Sequence, residues 1–444
     1  MMDRPLGWLG IARLGLVQMA LGSVVVLTTS TLNRVMVVEL ALPASLPGVL
    51  LGIHYALQVF RPRLGYGSDV GGRRTPWILG GMALLSTGGA LAAIATAWMA
   101  SNLIAGIALA IAAFVLIGIG VGAAGTSLLV LLAKRTDERR RGAAAAIVWI
   151  MMIVGFIATT LVAGHLLDPF SVGRLVEVSA GLSAIAFALA CVALWRIEGS
   201  GDARVGSDMR PAEAAPRSFR DAVSEVWSEP ETRRFTLFVF LSMIAYSAQE
   251  LIIEPFAGLV FQLTPGQTTQ LAGVQHGGAL CGMVIVAIFS GVIGKIRIGS
   301  LKGWAIGGCI GSAVALCLLA AGGLNGAPWP IHANVFALGV ANGIYAIAAI
   351  ASMMALVGSG RAKREGVRMG LLGAAQATAF GLGGLLGSLA SDVARHLLDS
   401  ASTGYAFVFV CEAALFVSSA ALARRAAAAR PFAHTVSLNS EVAR

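Results

Sequence analysis

Charge is what this chain has least of: only 12% of its 444 residues are Asp, Glu, Lys or Arg, about half the share of a soluble domain. So little charge excludes an ordinary water-soluble fold. Cysteine is scarce too. Cys191, Cys281, Cys309, Cys317 and Cys411 all lie in apolar stretches, and none forms a Cys-x-x-Cys pair. Neither a disulfide framework nor a zinc site is indicated, and no metal site is expected. Paired Asp-rich motifs are missing as well, because Asp69, Asp137 and Glu138 stand alone among arginines and Asp221 and Glu225 lie outside the apolar runs. That absence argues against the magnesium–diphosphate chemistry of a membrane prenyltransferase, and no catalytic residues are assigned. The net charge of +10 comes from basic residues in short loops, neither gathered on one helix nor interleaved with aromatics. Nucleic acid is therefore not an expected partner. No cleavable signal peptide is expected, since the first apolar run is too long.

What the chain has in abundance is apolar surface, 57% hydrophobic residues, together with 55 glycines. Apolar runs of about 20 residues predict membrane-spanning helices, and small residues let such helices pack closely. Spans are expected near 11–38, 46–62, 76–98, 103–133, 143–166 and 174–196, and again near 234–262, 268–293, 301–323, 329–357, 368–391 and 402–424. The expectation is an all-α membrane protein of about twelve transmembrane helices in two six-helix bundles. Residues 1–196 form the N-terminal bundle, 197–233 a linker, 234–424 the C-terminal bundle and 425–444 a tail. Residues 199–217 read as flexible. Ser218 is placed to cap a short helix on which Phe219, Val223, Val226 and Trp227 share one face. That helix either lies on the membrane surface or is a plain linker.

Loop charge sets the orientation. Arg61, Arg63, Arg73 and Arg74 lie between the second and third spans, and Lys134, Arg135, Arg139, Arg140 and Arg141 between the fourth and fifth. Lys295, Arg297 and Lys302, then Arg361, Lys363, Arg364 and Arg368, follow in the second half, whereas the loops 99–102, 263–267 and 324–330 hold no Lys or Arg. Basic loops face the cytoplasm, which puts both termini and the linker on that side.

The loop Gly65-Tyr66-Gly67-Ser68-Asp69-Val70-Gly71-Gly72-Arg73-Arg74 resembles the signature loop of the major facilitator superfamily. Gly65, Asp69, Gly72, Arg73 and Arg74 carry the likeness, although Val70 stands where a basic residue is usual. Such a loop either latches one conformation or is a static basic turn. The corresponding loop of the second half, around Gly291, Gly294 and Lys295, has no Asp. Gly118-Ile119-Gly120-Val121-Gly122 and Gly381-Leu382-Gly383-Gly384 lie inside spans and read as helix packing rather than phosphate loops.

Ionisable residues inside a membrane span are functional candidates. The first span holds Thr31-Leu32-Asn33-Arg34 and the seventh Ser247-Ala248-Gln249-Glu250, with Glu254 one turn further on. If the halves are repeats, these segments face each other, and Arg34 is expected to pair with Glu250 or Glu254. The pair either fixes helix register or lines a site for a ligand or proton. A second echo places His54 in the second span and His276 in the eighth, each after a Pro-Gly step, where each is either a hydrogen-bonded packing residue or a ligand.

The stretches 12–98 and 246–274, including STLNRVMVVELALP and SAQELIIEPFAG, resemble the PucC/LhaA family of phototrophic bacteria, the bacteriochlorophyll delivery proteins. The resemblance implies a major-facilitator-like protein of the photosynthetic inner membrane that helps assemble light-harvesting complexes. Its partners would be antenna polypeptides and its cofactor bacteriochlorophyll. Neutral imidazole is a good axial ligand for the pigment magnesium, which makes His54 and His276 the ligand candidates. A proton-coupled transporter of small solutes is the first alternative, and a bacteriochlorophyll synthase component, a label one branch has carried, the second.

Overall fold

In hydrocarbon every backbone polar group must be satisfied within the chain, so each long apolar run folds as a helix. A computed structural model describes residues 6–58, 73–137, 140–198, 230–289, 298–326, 328–359 and 365–427. The first half comprises α1 (Trp8–Thr29), α2 (Ser45–Leu57), α3 (Thr75–Met99), α4 (Leu103–Arg135), α5 (Arg141–Leu166) and α6 (Val172–Leu194). The second comprises α7 (Pro230–Phe261), α8 (Pro265–Phe289), α9 (Leu301–Asn325), α10 (Ile331–Ser359), α11 (Glu365–Leu397) and α12 (Ala401–Ala427). No strand occurs among the described residues. Eleven of these segments are long and apolar enough to cross a membrane. The exception is α2, whose 13 described residues span only about 20 Å.

Two departures from the expected spans have physical causes. The first span is not one continuous helix. Ser30 takes φ −96° and ψ −84°, and a helical turn Thr31–Arg34 leads into a π-helical segment Val35–Glu39. Wide turns of this kind recur at functional sites. At the other end of the chain, α11 continues to Leu397, past the expected stop at 391. Its polar last turns stay helical because Asp392 and Arg395 bond each other at 2.6 Å.

Side chains gather in two apolar cores, one drawn from Ile11 to Ile197 and the other from Phe238 to Ala423. Glycine brings backbones together within each core. A Cβ added at Gly120 would lie 2.6 Å from the amide nitrogen of Leu85, and one at Gly383 would lie 2.5 Å from the Ile244 carbonyl. Both glycine-rich stretches are thus packing surfaces. The two halves meet along two seams, α2 against α11 and α5 against α8. The amphipathic helix expected around Phe219–Trp227, and residues 428–444 of the expected tail, lie outside the described residues.

Candidate functional site

The break in α1 and a proline in α7 make one construction. Pro255 lies inside α7 and has no N–H to give the carbonyl four residues back, which belongs to Leu251. The Nδ2 of Asn33 donates to that carbonyl at 2.7 Å, across the junction of the halves. Thr31 crosses at the same level. Its hydroxyl lies 3.1 Å from that of Thr269, and Thr269 donates to the Pro265 carbonyl at 2.8 Å, so Thr31 is the donor between them.

Arg34 reaches further but not to the expected partner. Its Nη1 pairs with Glu39, and its Nη2 donates to the Leu263 carbonyl at 2.8 Å in the segment joining α7 to α8. No ion pair forms with Glu250 or Glu254. The unwinding of α1 into a π turn carries Glu39 back to Arg34, so the guanidinium is neutralised within its own segment. A Cβ at Gly258 would lie 3.0 Å from Nη2, so that glycine makes room for the side chain.

Around this junction several buried polar atoms have no hydrogen-bond partner among the described residues: Asn33 Oδ1, Glu254 Oε2 and both amide atoms of Gln249. Gln249 is 0% exposed. Glu254 faces the Ser30 hydroxyl and lies in the field of Arg34. Native interiors rarely leave such groups unmet.

Asp392 closes the neighbouring seam. The chain entering α2 supplies no side-chain cap of its own. Instead Asp392 of α11 accepts the Ala44 N–H at 2.8 Å and the Ser45 N–H at 2.7 Å. A carboxylate at a helix N-terminus is favourable. On the other seam Gly164 and Gly266 let α5 and α8 touch backbone to backbone. All these bridges lie at the end of the molecule opposite the basic loops.

Deeper in, an aromatic chain spans α2, α11 and α7. The Tyr55 and Phe380 rings lie 5.5 Å apart and those of Phe380 and Tyr246 5.8 Å apart. Glu250, half-buried, follows Tyr246 by one turn. Sequence reading missed this cluster, because isolated aromatics in three apolar helices carry no local signal. Pro255 marks the Leu251 carbonyl as freed, but nothing in the sequence pairs that carbonyl with Asn33.

The histidines sit in unlike settings. His54 is 3% exposed and its Nε2 lies 3.0 Å from the Gln58 amide nitrogen. His276 is half-buried on the α5–α8 seam, its ring 4.9 Å from that of Phe156, with no hydrogen-bond partner among the described residues. Of the signature loop, Gly65, Asp69 and Gly72 lie outside the described residues. Arg73 is exposed and Arg74 buried, and the Arg74 N–H donates to both oxygens of Glu198, each at 3.0 Å. Glu198 also accepts the Thr75 N–H at 2.8 Å and so caps α3, a role the sequence reading did not give it.

The family model described as PUCC protein matches residues 31–430. The chain is 50% identical over 426 residues to the "Bacteriochlorophyll synthase 44.5 kDa chain" of Rhodobacter capsulatus, covering 96% of this chain and 97% of that one. It is 29% identical over 438 residues to "Protein PucC" of Rhodobacter capsulatus, covering 93% and 91%. Among solved structures, the peptide transporter POT in complex with sulfate superposes with a TM-score of 0.70 at 14% identity, covering 95% of this chain and 96% of that one. At that identity the likeness is one of fold, and the fold is that of major-facilitator transporters.

Proposed function

Because the chain belongs to the PUCC protein family, we propose that it is a non-enzymatic assembly factor that binds bacteriochlorophyll and hands it to light-harvesting antenna polypeptides. The observation that carries this reading is the family match across residues 31–430, shared with proteins named for bacteriochlorophyll and PucC. In this reading it is a multi-pass protein of the photosynthetic inner membrane, with both termini cytoplasmic, as its basic loops suggest.

The residues present fit such a cargo. A bound pigment would bring a broad apolar ring system and a magnesium that takes a nitrogen ligand. His276 offers an unbonded imidazole at a seam between the halves. Tyr55, Phe380 and Tyr246 offer ring faces between them. His54 is the less suitable ligand, because its Nε2 already meets Gln58 and its ring is enclosed. The relative named as a synthase chain raises the enzymatic reading. That chemistry needs gathered carboxylates for magnesium and diphosphate, and the sequence carries no paired Asp-rich motif.

One observation favours a second reading, proton-coupled transport of a small solute. Glu250 is half-buried in the interior of a transporter fold, where such a carboxylate suits a coupling role. The two readings part at His276. Under pigment delivery, His276→Ala lowers the pigment that copurifies with the protein about tenfold or more, the order found when a metal site loses a supporting group. His54→Ala has the smaller effect. Equal pigment in wild type and His276→Ala removes the ligand assignment.

A further inference from the structure

At the basic end of the first bundle, between the start of α3 and the exit of α6, lies a cavity of about 270 Å³. It is separate from the junction of the halves, and pigment delivery makes no use of it. Arg73 and Arg196 line it from two different helix ends, beside Thr75, Glu198 and the apolar walls Leu79 and Leu194.

Its charge is unbalanced. The carboxylate of Glu198 accepts backbone N–H groups of Arg74 and Thr75 at 2.8–3.0 Å, so it is engaged as the cap of α3. Arg73 and Arg196 are both exposed, and neither makes an ion pair or a hydrogen bond among the described residues. The Thr75 hydroxyl is buried at the same place with no partner among the described residues. Two guanidinium groups and a hydroxyl therefore line one cavity whose carboxylate, among the described residues, is held by backbone N–H groups.

The exit of α6 is also held in place. Arg13 of α1 donates through Nε to the Ala193 carbonyl at 2.9 Å and through Nη2 to that of Trp195. Arg196 follows with a left-handed backbone, φ +55°. The arginine pair is thus set by α1, α3 and α6 together. Beside it Val192 and Trp195 are each 71% exposed and form an apolar flank, and tryptophan is enriched where membrane proteins meet lipid headgroups.

We propose that this cavity binds the phosphate of an anionic phospholipid headgroup, with the acyl chains lying along the exposed flank of α6. Guanidinium groups match phosphate oxygens in charge and geometry, and basic pockets between helices at the cytoplasmic surface suit anionic lipid. A free phosphate would meet the arginines and the hydroxyl but would leave the flank of Val192 and Trp195 unused.

The test is native mass spectrometry of the full-length, delipidated protein with phosphatidylglycerol or phosphatidylcholine added. The wild type retains a single phosphatidylglycerol in preference to phosphatidylcholine, and millimolar inorganic phosphate does not displace it. Arg73→Gln with Arg196→Gln weakens retention about thirtyfold, from roughly fivefold for each charge near the surface. Equal retention of the two lipids, or an unchanged double variant, overturns the proposal. Displacement by inorganic phosphate assigns the cavity to a free anion instead and overturns it too. If the double variant does not fold, the melting temperature of the wild type decides: phosphatidylglycerol raises it more than phosphatidylcholine, and an equal effect of both overturns the proposal.

Discussion

Asn33 and Leu251 lie 218 positions apart, yet their bond at 2.7 Å follows from one proline. Losing the Asn33 amide strands the Leu251 carbonyl, a cost of about 1–3 kcal/mol for a buried acceptor. Asn33→Ala is therefore destabilising, while Pro255→Ala lets α7 bond that carbonyl itself. In thermal melts the double variant loses less than the sum of the single variants, and simple additivity contradicts the bridge. Arg34 obeys a similar logic. Its guanidinium is buried while the Glu39 side chain is 34% exposed, so solvent screens part of the attraction. Arg34→Ala then couples to Glu39→Ala by about 1 kcal/mol or more and adds independently to Glu250→Ala. Coupling to Glu250 alone contradicts the observed pairing. Both Asn33 and Arg34 stood out in the sequence as polar residues in an apolar run. Their partners did not, because a backbone carbonyl freed by a proline, and a local Glu brought back by a π turn, depend on backbone shape rather than on composition.

Most helices were legible because hydrocarbon forces each long apolar run into one, and the run itself marks the length. The break at Ser30 was not, since Val, Thr and Ser run through it without a Gly or Pro to punctuate the helix. The last turns of α11 were also missed, because Asp392 and Arg395 look like a loop until they are seen to bond each other and cap α2. That cap makes α11 a closure of the seam at the end opposite the basic loops. Asp392→Asn removes the charge from two N–H contacts and weakens the seam by about 1–2 kcal/mol. Gly48 and Ser388 report on it directly, since a Cβ at Gly48 would lie 3.0 Å from that of Ser388. With the native cysteines replaced, Gly48→Cys and Ser388→Cys cross-link readily on oxidation in membranes, and Asp392→Asn slows the reaction. A rate that Asp392→Asn leaves unchanged contradicts the role of Asp392 in holding the seam.

For the whole molecule, the repeated apolar runs already describe an all-helical membrane protein, and its buried apolar side chains form two cores, from Ile11 to Ile197 and from Phe238 to Ala423. The fold of a transporter does not by itself assign a cargo. What distinguishes this molecule is the combination of a PUCC match over 31–430 with ring faces and an unbonded imidazole where the halves meet. The aromatic cluster was illegible because its members come from α2, α7 and α11, whose adjacency is fixed only when the seams close. The central claim is that the protein carries bacteriochlorophyll, and the most direct measurement is its absorption spectrum after purification in mild detergent from a pigment-producing phototroph. The account predicts a bacteriochlorophyll band in fixed proportion to protein, absent from a control membrane protein handled identically. A colourless protein recovered intact from pigment-rich membranes contradicts it.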